Sequence, residues 1–345
     1  MSIEFRIVGQ PGHDNAVFAR VNTGQGIHRL LFDCGEGCVG ELAVSETQAI
    51  DHLLFSHLHM DHVGGFDSLF RLTFNRERPM YVWGPPETRR IMAHRFQGFM
   101  WNLVEGQPGA WIVSDIEPDH VASSVYLARE AFSVAHDVAE VSDREQRANT
   151  QQRTPPNIIA TADYTITALA MDHLTPSLAY ILRERPRLNV ATEKLAALGV
   201  RPGPWLRALK EQTPDETPTV KVDGSGYDLA ALRAELLVET PGDSLAYLTD
   251  FRLDEIAMAR LVPALAACQT VICESQYRQA DLDMAKRNHH MTATQAAELA
   301  KRAQVGQLIL FHLSDRYHDD HWQGTLAEAQ AIFPATRLHM DVASG

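Results

Sequence analysis

Short apolar runs alternate with amphipathic stretches along this chain, and several of the runs stop on a residue able to bind a metal. Residues 3–8 and 28–33 read as strands. The first leads into the turn Gly9-Gln10-Pro11-Gly12, the second into Asp33-Cys34-Gly35-Glu36-Gly37. Residues 40–50 predict a helix, and Ile50-Asp51-His52-Leu53-Leu54-Phe55 predicts a buried strand. Gly64-Gly65 then breaks the chain before a stretch of helical character. Residues 80–83 predict a strand stopped by Gly84-Pro85-Pro86, and 87–104 an amphipathic helix. Further strands are predicted near 123–128, 158–160, 164–171, 178–182, 244–249, 270–273 and 307–311, with helices over 253–267 and 293–303. Thr292 or Thr294 caps the last of these. Alternating strands and helices predict a layered α/β fold.

The strand ends carry the chemistry. Residues Ser56-His57-Leu58-His59-Met60-Asp61-His62-Val63-Gly64-Gly65 hold four metal ligands in the pattern His-x-His-x-Asp-His. Imidazole and carboxylate together suit zinc and its borderline neighbours. His57 and His59 can converge on one ion, and Asp61 and His62 can turn to a second. Later strands end at His173, Asp250, Glu274 and His312, and active sites of layered α/β folds collect at strand ends. Seven residues (His57, His59, Asp61, His62, His173, Asp250, His312) suffice for two ions, with the two-oxygen carboxylate of Asp250 as the candidate bridge. Two ions about 3.5–4 Å apart acidify water and neutralise charge developing on a phosphorane or oxyanion. Esters of several kinds fall to such chemistry, so the ligands alone do not name the substrate. Asp33 reads either as a turn or capping residue or as a carboxylate that orients a metal-bound histidine. His120 and His136 lack ligand-like neighbours and read as surface or core histidines.

Composition narrows the setting. With 345 residues, 45% hydrophobic and 22% charged, the chain can bury a full core as one large or two smaller domains. The net charge of −13 argues against a broadly basic nucleic-acid surface, although bound dications or a local basic patch reverse the field at a site. Residues 114–145 are acidic and carry no evident chemistry. Residues 183–221 differ: they hold eight Lys and Arg against five Asp and Glu around Arg201-Pro202-Gly203-Pro204-Trp205, and read as an inserted arm or a solvated linker. No apolar run approaches the roughly 20 residues of a membrane span. The chain opens directly into a strand pattern, without a signal peptide. Cys34, Cys38, Cys268 and Cys273 form no CxxC pair, so a reducing cytoplasm is the expected home.

His57-x-His59-x-Asp61-His62 with downstream His173, Asp250 and His312 resembles the metallo-β-lactamase superfamily, and within it the ribonuclease Z family of tRNA 3′-processing endonucleases. Further matching segments are Leu31-Phe32-Asp33-Cys34-Gly35-Glu36, Asp172-His173-Leu174-Thr175-Pro176-Ser177-Leu178-Ala179-Tyr180, His290-Met291-Thr292-Ala293 and Leu310-Phe311-His312-Leu313-Ser314-Asp315-Arg316-Tyr317. Leu198-Gly199-Val200-Arg201-Pro202-Gly203-Pro204 resembles the family's tRNA-gripping exosite. The resemblance covers nearly the whole chain. It implies a four-layered αββα metallo-β-lactamase fold over 1–345 with an exosite-like arm at 183–221, and two Zn2+, with Mn2+ or Fe2+ as alternatives. One ion falls to His57, His59 and His173, the other to Asp61, His62 and His312, with Asp250 between them. Asp61, Glu274 and His290 are the implied catalytic residues, and Arg316, Ser314, Gly203 and Arg201 the implied substrate contacts. Precursor tRNA is the implied substrate, a small phosphodiester or other ester the alternative, and a homodimer the implied assembly. Two segments depart from the family. Cys273-Glu274-Ser275-Gln276 stands where His-Glu-Ala-Thr is usual, and Cys273, closing a buried strand, reads as an inert apolar residue; restoring a histidine there is expected to raise activity on RNA. Gly9-Gln10-Pro11-Gly12-His13-Asp14-Asn15 replaces the family's Pro-x-Lys-x-Arg-Asn loop.

Overall fold

Strand parity sorts the apolar residues into two buried faces. In β3 (Ile27–Phe32), Leu30 and Phe32 face one way and Leu31 the other, and all three are buried. The computed structural model describes residues 3–24, 26–138, 157–210, 219–317 and 319–341. Residues 139–145 of the acidic stretch and 211–218 of the expected arm lie outside the described residues.

One unit comprises Met1–Arg183 and Asp243–Gly345. Its first sheet has eight strands in sequence order, β1 (Ile3–Val8), β2 (Ala16–Asn22), β3, β4 (His52–Leu54), β5 (Met80–Gly84), β6 (Ala110–Ile116), β7 (Val121–Leu127) and β8 (His136–Val138). Strands β3 to β6 run parallel and the flanking ones antiparallel. The second sheet joins β9 (Asn157–Ala160), β10 (Tyr164–Asp172) and β11 (Pro176–Glu184) to four later strands, β16 (Ser244–Leu248), β17 (Thr270–Glu274), β18 (Gln307–Phe311) and β19 (Thr336–Leu338), which run parallel; β12 (Arg187–Val190), β13 (Thr219–Val222), β14 (Ser225–Asp228) and β15 (Leu237–Thr240) pair elsewhere, in two small two-stranded sheets.

Three cores separate four layers. Leu30, Phe32 and Leu54 of the first sheet pack with Tyr180, Tyr247, Ile272 and Phe311 of the second. The opposite face of the first sheet buries Leu31, Phe55 and Trp111 under helices Phe66–Thr73 and Thr88–Phe96. The opposite face of the second buries Leu248, Cys273 and Leu310 under helices Glu255–Ala264 and Ala293–Arg302. Each large apolar side chain so buried contributes about 1.5–3 kcal/mol. The order is helix, sheet, sheet, helix, an αββα fold. Thr292 caps the helix Ala293–Arg302: its hydroxyl accepts from the Gln295 amide at 3.2 Å, and the Gln295 side chain accepts from the Thr292 amide in return.

The predicted helix over 87–104 is shorter, ending at Phe96 before Gly98. Among the strands that escape the pattern, β2 and β6 do so because both are buried on nearly every residue and do not alternate. No helix among the described residues is long and apolar enough to cross a membrane.

The second unit is Glu184–Gly242, reaching past the arm expected at 183–221. Leu195, Leu209, Val222, Leu229, Leu232 and Leu236 form its own core. Asp228 caps its helix Leu229–Leu236.

Candidate metal centre

The ligands arrive where strands stop. Beyond β4 the chain runs through His57 into a single helical turn, Met60–Val63. His173, Asp250 and His312 follow β10, β16 and β18 within two residues. Sharp turns accompany them: φ is +57° at Asp33, +41° at Asp250, +54° at His289 and +50° at His312. Each such residue costs about 1–3 kcal/mol, and such strain clusters at functional sites.

Two ligand clusters converge. His57, His59 and His173 bring ligand atoms within 4.8 Å of one another, and so do Asp61, His62, Asp250 and His312. Asp250 faces both clusters. Its Oδ2 lies 3.3 Å from His62 Nε2, 3.8 Å from His57 Nε2 and 3.9 Å from His173 Nε2, while Oδ1 lies 3.3 Å from His312 Nδ1. Asp61 Oδ2 stands 3.3 Å from His62 Nε2 and 3.5 Å from His312 Nε2.

Hydrogen bonds behind the rings decide which nitrogen faces the site. Asp33, fully buried, accepts from the Ser56 amide at 2.6 Å, the Ser56 hydroxyl at 2.6 Å, His62 Nδ1–H at 2.7 Å and the Tyr247 hydroxyl at 2.7 Å. A carboxylate only accepts, so the Ser56 proton is committed to it. The Ser56 oxygen, 3.1 Å from His57 Nδ1, therefore accepts from that ring. His173 donates Nδ1–H to the His289 carbonyl at 2.8 Å. His57 and His173 thus present an Nε2 lone pair to the centre, and His62, its Nδ1 held by Asp33, turns its Nε2 the same way, the orientation a metal requires. Of the two readings open for Asp33, the geometry selects the orienting carboxylate. Ser56 and Tyr247 were invisible as partners: a serine before a ligand and an inward-facing tyrosine have no distinguishing spacing.

The donor set suits cations. Among the described residues, the buried Nε2 atoms of His57 and His62 and the Nδ1 of His312 have no hydrogen-bond partner, a costly arrangement unless another group binds there. Burial, with repulsion from His62, pushes the pKa of His57 down to about 2, and burial chiefly lowers that of His173; both stay neutral and able to ligate. Burial also works against charge on His62 and His312, but Asp33 and Asp250 outweigh it at the first and Asp250 and Asp61 at the second, raising both. Burial would raise the Asp250 carboxyl, yet His312 and His62 hold it well below the usual range. Two buried or half-buried carboxylates among five imidazoles make a strong local demand for positive charge.

A third group overlaps the others: Asp250, Glu274, His290 and His312. Glu274 is fully buried and accepts from the Phe251 amide at 2.9 Å and from His290 Nδ1–H at 3.0 Å. Burial opposes charge on His290, but Glu274 raises its pKa to about 9. Arg316 is exposed, its guanidinium 5.6 Å above the Tyr277 ring, and Ser314 Oγ accepts from the Arg316 amide at 3.3 Å. Arg201 and Gly203 lie in the second unit and join no ligand cluster; the Arg201 amide donates to Asp223 at 3.2 Å. Cys273 faces the outer core, its Sγ 3.5 Å from Met291 Sδ. The Gly9–Asn15 turn braces the loop after His312: the Gly12 amide donates to the Leu313 carbonyl at 3.1 Å. His120 and His136 pair with surface carboxylates of Asp119 and Glu130.

The Beta-lactamase superfamily domain matches residues 28–107 of this chain. A ribonuclease Z of Deinococcus radiodurans is 45% identical over 333 residues, covering 96% of each chain. The chain belongs to the ribonuclease Z family. A ribonuclease Z of Geobacillus kaustophilus is 29% identical over 91% of this chain and 87% of its own. Among solved structures, human tRNase Z, short form, superposes with a TM-score of 0.51 at 17% identity over 92% of this chain and 94% of that one. The metallo-beta-lactamase fold protein YhfI of Bacillus subtilis gives 0.55 at 15% identity, covering 97% and 95%. These two likenesses speak for the fold. Family membership makes the chain a hydrolase, and its candidate metal ligands stand at the strand ends of that fold.

Proposed function

We propose that this protein is a two-metal phosphodiesterase that processes the 3′ end of precursor tRNA. The observation that carries this reading is the meeting of two ligand clusters at Asp250 in a chain of the ribonuclease Z family. His57, His59 and His173 would hold one zinc, Asp61, His62 and His312 the other, and Asp250 would serve both; Mn2+ or Fe2+ suits the same donors. When bound, the ions supply Lewis-acid polarisation and neutralise charge on the phosphodiester.

The chain's own residues do the remaining work. Burial would raise the Asp61 carboxyl, but contacts with His312 and His62 keep it far below the usual range, so it stays ionised and accepts a hydrogen bond that orients the attacking water. His290, kept protonated by Glu274, donates to the leaving oxygen. Arg316 has no carboxylate within ion-pair distance among the described residues and is free to meet a phosphate. Exposed Arg201 and the Gly203 turn are assigned to tRNA grip in the second unit. A homodimer is what the family resemblance implies, and the four free cysteines suit a reducing cytoplasm; light scattering checks the first.

A second reading, a small phosphodiester substrate, is favoured by the −13 net charge and by a Gly9–Asn15 segment without lysine or arginine. The test is side-by-side hydrolysis of precursor tRNA and bis(4-nitrophenyl) phosphate at defined salt, with metal analysis of protein never exposed to chelator. About two zinc-like ions per chain and a single cut at the tRNA 3′ side are expected. Protein without metal overturns the two-metal centre, and turnover of the small ester alone hands the assignment to the second reading.

A further inference from the structure

Strands β4, β5 and β6 run parallel, so their C-terminal ends share one edge of the sandwich. His57 lies just past β4 on that edge, and Pro86 and Pro118 lie just past β5 and β6. A cavity of about 410 Å³ opens there, walled by Pro86, Ile116, Pro118, Met171, Leu174 and Pro176. Its far wall is the turn between β10 and β11, the turn that carries His173 toward the metal ligands. The cavity therefore adjoins the candidate centre without containing any of its ligands.

Leu174 is the unusual wall residue. It is 77% exposed and holds φ +60°, a conformation that bulky side chains rarely adopt. Asp172 Oδ1 accepts its amide at 3.0 Å, and the His173 amide donates to the Thr175 carbonyl at 3.1 Å, which together hold the turn. The core gains nothing from a leucine presented this way. Strain of this sort, kept at a site, points to a binding role.

The walls select the occupant. They include three proline rings and no lysine, arginine or histidine, so the cavity is not a phosphate site. Two polar side chains line it, Thr175 and Asp172; the Asp172 carboxylate, which accepts from the Leu174 amide and lies 3.4 Å from His289 Nδ1, keeps further acceptor capacity. A planar ring with apolar faces and an amino edge satisfies both features, and nucleobases carry such edges on cytosine, adenine and guanine. We propose that this cavity receives one unpaired nucleobase of the substrate, adjacent to the phosphodiester that is cut. The proposal rests on the reading of the protein as a nuclease and extends it to a base-binding subsite.

The test compares cytidine 5′-(4-nitrophenyl) phosphate with the same ester of ribose lacking the base, alongside precursor tRNA. Wild-type protein is expected to show a KM at least tenfold lower for the base-bearing ester. Ala170→Trp, which fills the cavity, and Leu174→Gly, which trims its rim, should each bring that ratio towards one. Leu174→Gly should do so without lowering Tm, since glycine adopts the left-handed turn freely; this separates a binding role from a structural one and covers misfolding of Ala170→Trp. Equal KM values in the wild type, or a ratio unmoved by both variants, overturn the subsite even if tRNA is cut. A ratio that behaves as expected in protein that leaves tRNA intact upholds the subsite and removes the tRNA reading. Variants that change only the oligomeric state show that a second copy fills the cavity, which also overturns the proposal.

Discussion

Asp33 organises the centre without touching it. Four donors end on its two oxygens, and through them it orients His62 directly and His57 by way of Ser56. Asp33→Asn keeps the shape and tolerates the left-handed turn, as asparagine does. It also points an amide among donors that then lack an acceptor, each costing about 1–3 kcal/mol. Zinc affinity is expected to fall about 10–100-fold, the usual effect of removing a partner that orients a ligand; titration against a fluorescent zinc chelator measures it, and unchanged affinity would remove the orienting role. Cys273 makes the contrasting case. Family pattern alone suggests that a histidine there raises RNA cleavage. Packing reverses the expectation, because Sγ sits in the apolar outer layer against Met291, and burial keeps the thiol protonated and inert. Cys273→His would place an unpartnered imidazole there, at a cost of about 1–3 kcal/mol. A lowered Tm with no gain in tRNA cleavage is expected from thermal melts and gel assays.

The ligand loop holds its shape by backbone approach. The Cys34 amide donates to the His62 carbonyl and the Gly65 amide to the Cys34 carbonyl, each at 2.8 Å. A Cβ on Gly65 would stand 2.2 Å from the Gly35 carbonyl oxygen, so only glycine permits the contact. Gly65→Ala must separate the loop from the turn that carries Asp33. Retained far-UV circular dichroism with bound metal reduced to half or less is the expected result; full metal content would show that the loop relaxes without losing its ligands. The loop itself was legible because a strand pattern, four ligand-type residues and Gly64-Gly65 follow one another within sixteen residues. Strands β2 and β6 were not, since a strand buried on both faces has no period-2 signal to read. Nor was the early end of the helix at Phe96, where packing of Phe96 and Trp101 around Phe70 takes over from helical periodicity.

At the level of the entire chain, the second unit has a core of its own. Its ends meet: a Cβ on Gly242 would stand 2.5 Å from the Glu184 carbonyl oxygen. Replacing Glu184–Gly242 by a short glycine-serine linker should therefore leave the first unit folded. Cleavage of precursor tRNA is expected to drop at least a hundredfold, and hydrolysis of bis(4-nitrophenyl) phosphate far less. Equal losses on the two substrates would deny this unit any part in gripping tRNA. Metal chemistry was readable from sequence because ligand type and strand-end position are local properties of the chain. A layered α/β architecture was readable for the same reason, from the alternation of periodicities. Tertiary structure decided which ring nitrogen each histidine presents, where Cys273 points, and that Leu174 borders a cavity. Those depend on contacts between distant residues, such as Asp33 and Tyr247, 214 positions apart, which no local pattern encodes.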